Sequence, residues 1–315
     1  MTCISEQVVP ACSNELILKR IIYIIYTSGF SQFGRRVDWQ EVLRGKVQAM
    51  TEPEWWACKE PAPMLAFLLG RPRGLGARLG AWLGRQRSPG NLPGPPRPSD
   101  RKLRLFACAC GALITSLLRD GRCLDALATS ERFAVGQADE EELEAARQRA
   151  WEAVEGLQPT VSQEYFVVAG GAGGEVGKLW PWAARATAEA AAPDAAEAAL
   201  RVNAAIERVG IEWAAQGQAI KVILAALGPK VRARILRDII GNPFRPVTLD
   251  PSWVTPGVAR LAQAIFDERA FDRLAELADA LEETACTNPE ILGHCRRPGR
   301  HVRGCWVIDL ALARV

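Results

Sequence analysis

The chain has 315 residues, 49% of them hydrophobic, enough apolar surface for one large domain or two small ones and too much for disorder throughout. Thirty-nine basic against thirty-six acidic residues leave a net charge of +3, so bulk charge implies neither a nucleic acid nor an anionic membrane as partner. Nine cysteines, an odd number without regular spacing, predict reduced thiols in a cytoplasmic protein. No stretch approaches the roughly eighteen uninterrupted apolar residues of a membrane span.

Composition changes at Met50. Six isoleucines and two of the three tyrosines precede it, whereas Ala, Arg, Gly and Leu dominate afterwards. Thr51 and Glu54 have the spacing of a capping box, so Met50 reads as a natural start and residues 1–49 as a start placed too early or an N-terminal extension. Glu52 to Leu69 predicts two short helices broken near Pro61, with Trp55, Met64, Phe67 and Leu68 in the core. Residues 70 to 98 then repeat Gly and Pro and carry six arginines and no acid, which marks 72–98 as a basic insert. Arg78, Arg85 and Arg87 with Leu79, Trp82 and Leu83 have the makings of a basic amphipathic helix, but four intervening glycines favour a solvated loop.

Ser99 is a good N-cap, and Leu103, Phe106, Cys110, Leu113 and Leu117 recur at three and four residues, predicting a core helix that runs to Asp120-Gly121. A second helix follows from Cys123 to Val135, closed by Gly136, and Asp139 with Glu142 opens a third. Tyr165 to Ala169 is strand-like and leads into a glycine run. Thirteen of the 23 residues from 183 to 205 are alanine, which predicts helix that packs closely or spans solvent. Further helices are expected from Lys230 to Ile240, Val258 to Arg269, Asp272 to Glu283 and Pro289 to Cys295. Three prolines make 242–251 an extended connector. Trp306 to Leu310 is short enough to be helix or strand.

The candidate chemistry is thin. Gly173-Gly174-Glu175-Val176-Gly177-Lys178 approaches a phosphate-binding loop, but Leu179 stands where Ser or Thr must ligate magnesium, and Trp180-Pro181 spoils the helix start. Cys108 and Cys110 are two apart on a helix and diverge by about 200°, too far to share a metal. No nucleophile-elbow sequence occurs, and no catalytic or cofactor-binding set can be assembled. The segment from Cys286 to Cys305 is different, because its twenty residues hold both histidines and three of the nine cysteines, where uniform scatter would place fewer than one. His301 and Cys305 are one helical turn apart, and adjacent His294 and Cys295 cannot both face the same point. Choosing the thiolate predicts Cys286, Cys295, His301 and Cys305 as a structural zinc site.

Laid out in this way, several segments resemble an uncharacterised, heavily duplicated family of planctomycete proteins. The resemblance rests on Met50-Thr51-Glu52-Pro53-Glu54-Trp55, on Ser99-Asp100-Arg101-Lys102-Leu103-Arg104-Leu105-Phe106-Ala107-Cys108, on Gly241-Asn242-Pro243-Phe244-Arg245-Pro246-Val247-Thr248-Leu249-Asp250, and on His301-Val302-Arg303-Gly304-Cys305-Trp306. It implies that the domain begins at Met50 and that the arginine-rich insert is a departure. It implies no activity.

The expected architecture is all-α, a multi-helix bundle or irregular array forming one domain over 50–315 with an Ala-rich centre at 183–228. The expected function is a non-enzymatic interaction or adaptor domain with a protein partner and no membrane. Two alternatives stand beside it. One is nucleic-acid binding through the insert and through Arg296, Arg297, Arg300 and Arg303; the other is a zinc-containing protein built on the C-terminal Cys/His set.

Overall fold

In a computed structural model, the residues described are 50–69, 97–118, 120–156, 180–214 and 228–314. The expectations for residues 1–49, most of the basic insert, the Tyr165–Ala169 segment, the glycine run and residues 215–227 lie outside them. Among the described residues there are twelve α-helices, three short 3-10 helices and no strand. No helix among them is long and apolar enough to cross a membrane.

The helices begin where capping chemistry dictates. Helix α1 (Glu52–Ala57) opens with a reciprocal capping box: the Thr51 N–H donates to Glu54 Oε2 at 2.8 Å and the Glu54 N–H to Thr51 Oγ1 at 3.4 Å. Helix α2 (Pro61–Leu69) buries Met64, Leu65 and Leu68 completely or nearly so. Helix α3 (Asp100–Gly111) starts on Ser99 but stops earlier than its apolar spacing predicts, giving way to a 3-10 helix over Ala112–Leu117. Gly111, at the change, has a close neighbour. A Cβ on Gly111 would lie 2.7 Å from Leu127 Cδ1, on α4 (Gly121–Ala134). Helix α5 (Glu140–Gly156) opens on the reciprocal Asp139 and Glu142 bonds, at 2.8 and 3.2 Å.

The alanine-rich stretch forms α6 (Trp180–Ala190) and α7 (Ala195–Ala214), which pack against each other and against α3. Ala183, Ala186, Ala190, Ala198 and Ala199 are fully buried, so here alanine serves close approach of helix axes. The end of α6 is finished by a side chain from another helix. Arg104 of α3, itself 3% exposed, donates to the carbonyls of Ala190, Ala192 and Pro193 at 3.3, 2.8 and 2.8 Å. It thereby satisfies acceptors that a helix C-terminus leaves orphaned.

Helix α8 (Pro229–Ile240) packs on α2 and α3 and ends at Gly241. Its Arg237 reaches back across the chain to the Trp55 carbonyl, with Nε at 3.1 Å and Nη2 at 2.5 Å, and also to the Cys58 carbonyl. The proline connector then leads through a 3-10 turn at Pro251–Trp253 to a second core. That core is built by α9 (Pro256–Glu268), α10 (Leu274–Glu283), α11 (Pro289–Cys295) and α12 (Trp306–Ala311). The closing segment is thus helix. Arg101 clamps α12 to α3 by donating to both carboxylate oxygens of buried Asp309, at 2.6 and 2.9 Å.

Gly304, just before α12, has φ +93, and a Cβ there would lie 2.9 Å from Leu105 Cδ1 and 3.3 Å from Leu105 Cβ. Both the backbone conformation and the space exclude a larger residue. Gly304→Ala is expected to lower stability by about 1–3 kcal/mol. Urea unfolding checks this, read as a lower midpoint at unchanged slope.

Candidate metal centre

Helix α8 has an apolar face carrying Ile235, Leu236 and Ile239, and on that face, in its last turn, sits Asp238 at 5% exposure. A carboxylate there is doubly costly, being buried and at the negative end of a helix dipole. Three donors from the C-terminal segment compensate. The Val302 N–H donates to Oδ2 at 2.9 Å, while His301 Nδ1 and His294 Nε2 approach Oδ1 at 2.6 and 3.1 Å. Cys305 completes the group, its Sγ 3.2 Å from His294 Nε2. One ligand atom from each of Asp238, His294, His301 and Cys305 lies within 4.8 Å of every other, so the four form a buried group that could hold a metal ion.

Each side chain is placed by its local structure. Asn288 and Pro289 fix the start of α11, whose last turn delivers His294. His301 and Cys305 do not share the helical turn their spacing predicts. They lie on a tight turn closed by the Cys305 N–H to the Val302 carbonyl at 3.0 Å, with Gly304 supplying the positive φ. Trp306 follows and packs against Gly241, whose own φ is +74 and where a Cβ would lie 3.2 Å from the indole.

The hydrogen bonds fix the proton positions. Indole Nε1 of Trp306 is a donor only, and it lies 3.0 Å from His294 Nδ1, so that nitrogen accepts and the ring proton sits on Nε2, facing Asp238 and Cys305. His301 is placed between two acceptors, Asp238 Oδ1 and the Arg297 carbonyl at 3.3 Å, an arrangement that suits the imidazolium. The pKa directions agree. Burial pushes His301 down, but the hydrogen bond and charge of Asp238 outweigh it and the net shift is upward. For His294 burial prevails and the shift is downward. Burial raises Asp238, yet the two imidazoles outweigh it and hold the carboxyl below its ordinary range.

A metal would have to enter this closed network. Tetrahedral zinc with bonds near 2.0–2.3 Å needs ligand atoms about 3.4 Å apart, so the 2.6 Å contact of Asp238 with His301 must open, while the His294 contacts at 3.1 and 3.2 Å need lengthen only slightly. His301 is already arranged as a ligand, with Nδ1 toward the centre and Nε2–H donating to a backbone carbonyl. His294 joins only if Trp306 gives up its hydrogen bond, because a neutral imidazole bound through Nε2 carries its proton on Nδ1. The group is not a cysteine nucleophile with its base and orienting acid. Asp238 and Cys305 both face the same nitrogen of His294, and the fully buried Cys305 thiol is pushed well above its ordinary pKa by burial.

Of the four residues that spacing selects, the structure brings His301 and Cys305 into the group and leaves Cys286 and Cys295 outside it. Both are buried in the C-terminal core, and burial pushes Cys295 up to about 12, so it packs as a protonated thiol. The adjacency argument holds in that only one of His294 and Cys295 joins, and that one is the histidine. Asp238 was not foreseen, although an aspartate on the apolar face of α8 is its sequence signal. Cys108 and Cys110 are buried thiols, both pushed up to about 12 by burial.

Compared with protein-family models, curated proteins and solved structures, the chain matches none. The fold and the group therefore define it together, as an all-α domain with a buried Asp/His/His/Cys cluster at the joint between its two cores.

The pKa shifts set a pH dependence for the metal-free protein. His301, raised from 6.5, contributes stability that is full below that value and lost as pH rises through its higher folded value. His294, lowered from 6.5, makes the fold lose stability as pH falls below that value. Asp238, lowered from 3.8, contributes above that value and loses its contribution as pH falls further. In chelator, His301→Gln is expected to cost about 1–3 kcal/mol below pH ~6.5 and progressively less as pH rises. Urea midpoints of both proteins between about pH 5.5 and 9 measure the difference; a constant gap would contradict the assigned protonation.

Proposed function

We propose that this chain is a non-enzymatic helical interaction domain whose two cores are joined by a structural zinc site formed by Asp238, His294, His301 and Cys305. The observation that carries the zinc reading is the convergence of two imidazoles, a thiol and a carboxylate from three separate segments on one buried point. Nitrogen and sulfur donors favour zinc over hard cations, and burial of three of the four residues suits a closed structural site rather than one with an open position for substrate. The interaction role is the expectation carried from the sequence, and a thiol buried this deeply adds no nucleophile to it. A protein partner is the expected one, bound away from the buried group.

A second reading is favoured by one specific contact. The Trp306 donation to His294 Nδ1 matches a metal-free network of Asp238 carboxylate, His301 imidazolium and neutral His294, complete in itself. Metal analysis of protein purified without added metal separates the two. Zinc binding predicts about one equivalent of zinc, lost in Cys305→Ser and in Asp238→Asn, with cobalt substitution giving thiolate-to-metal absorption. Metal-free protein that takes up no zinc and unfolds at the same midpoint with and without chelator would establish the hydrogen-bonded network instead.

A further inference from the structure

The arginines of the C-terminal segment do not share one face. Arg296 is held by Asp279 and Glu282 at 2.6 and 2.5 Å, and the Arg297 guanidinium lies 5.9 Å from the Trp56 ring centre. Arg300 and Arg303 instead turn to a cleft of about 200 Å³ between α3, α4 and the 300–303 loop, where Arg269 joins them from the end of α9. Glu131 is the one carboxylate among the lining residues, and it is shared: Arg269 Nη2 lies 2.5 Å from it and Arg303 Nε 3.7 Å.

Three guanidiniums against one carboxylate leave an excess of two positive charges on the cleft walls, since His301, which also lines the cleft, is paired with Asp238. The polar groups are also incompletely used. Arg303 Nε is buried without a hydrogen-bond partner, and Arg300 has neither ion pair nor hydrogen bond among the described residues. The Arg303 guanidinium is stacked 4.8 Å from the Phe266 ring centre and tied by Nη2 to the Phe266 carbonyl at 3.3 Å, so it is held in place before any ligand arrives.

We propose that this cleft is a binding site for the phosphate group of a small molecule, held by Arg269, Arg300 and Arg303. A phosphate monoester brings about −1.5 to −2 charges near neutral pH, which matches the excess. Guanidiniums offer it paired N–H donors in the geometry its oxygens need. Size points the same way. At about 30 Å³ per water volume the cleft holds several waters, room for a phosphate with a small substituent, and it is smaller than the roughly 300–1,000 Å³ typical of sites that enclose drug-sized ligands. Arg269 is 57% exposed and can turn from Glu131 to the anion, while Glu131, 13% exposed, keeps Arg303 beside it.

The test is calorimetric titration of the full chain with inorganic phosphate and with a short alkyl phosphate, ionic strength being held constant with chloride. Saturable binding is expected for one or both; phosphate alone identifies the free ion as ligand, and a tighter alkyl ester identifies a substituted one. Arg300→Gln, an exposed residue outside both cores, is expected to weaken binding at least tenfold, and the Arg269→Gln/Arg300→Gln pair to abolish it. Arg296→Gln, which removes an equal charge elsewhere, is expected to leave binding unchanged. Absence of saturation up to about 10 mM, or equal losses in the Arg296 and Arg300 variants, would overturn the site. So would salt-sensitive binding of an oligonucleotide that depends on Arg300 and that phosphate does not compete away, because the cleft would then be part of a nucleic-acid surface.

Discussion

One buried carboxylate organises the C-terminal half of this protein. Asp238 ends α8, the helix that closes the first core, and accepts from a backbone amide and two imidazoles that all belong to the segment forming the second. Without those donors an anion at that depth and at that helix end would be strongly unfavourable, and without the anion His301 would be a buried cation with no partner. Removing the anion from such a set typically costs about 3–5 kcal/mol, because the imidazolium is left charged and unpaired. The interdependence positions α11, the 301–305 turn and α12 relative to α8, and thereby places Asp309 where Arg101 can reach it.

Much of the helical pattern was readable from local chemistry. Thr51 with Glu54, Ser99, Asp139 with Glu142 and Asn288 with Pro289 all begin helices as their spacing requires, because capping depends only on residues three or four apart. The failures occurred where a distant neighbour decides. Helix α3 gives way to 3-10 geometry after Gly111, where Leu127 of α4 packs against the missing side chain, and the apolar spacing of residues 111–117 does not reveal that approach. The final segment reads equally as helix or strand in its spacing, and it is helix, with Trp306 packed on Gly241.

The site was half legible for the same reason. Clustering of His and Cys identified the segment, and two of its expected members, His301 and Cys305, do converge. Spacing along one segment could not supply Asp238, which lies 63 residues from His301 in sequence yet 2.6 Å from its ring. Nor could a preference for thiolates over imidazoles rank His294 against Cys295. That choice is made by the direction in which the last turn of α11 faces, and Cys295 faces the apolar core instead. The arginine cluster shows the converse. Four residues that look like one basic patch are distributed to three different surroundings, and Arg269, which completes the cleft, carries no sequence mark at all.

The reach of Arg237 back to the Trp55 and Cys58 carbonyls has a consequence for the order of events during synthesis. The partners are 182 residues apart, so α1 leaves the ribosome long before the helix that holds it. At about 5–20 residues per second that interval is roughly 10–40 s, far longer than the microseconds a helix takes to form. Throughout it α1 lacks that anchor, whereas α2 also packs on α7, which is made before α8. Helices α3 to α7 have contacts close in sequence and can assemble before α8 is made. The carbonyls of Trp55 and Cys58 are therefore among the last groups of the described residues to gain their partner, and the seam between α1 and α8 is the part of the fold that translation leaves open longest.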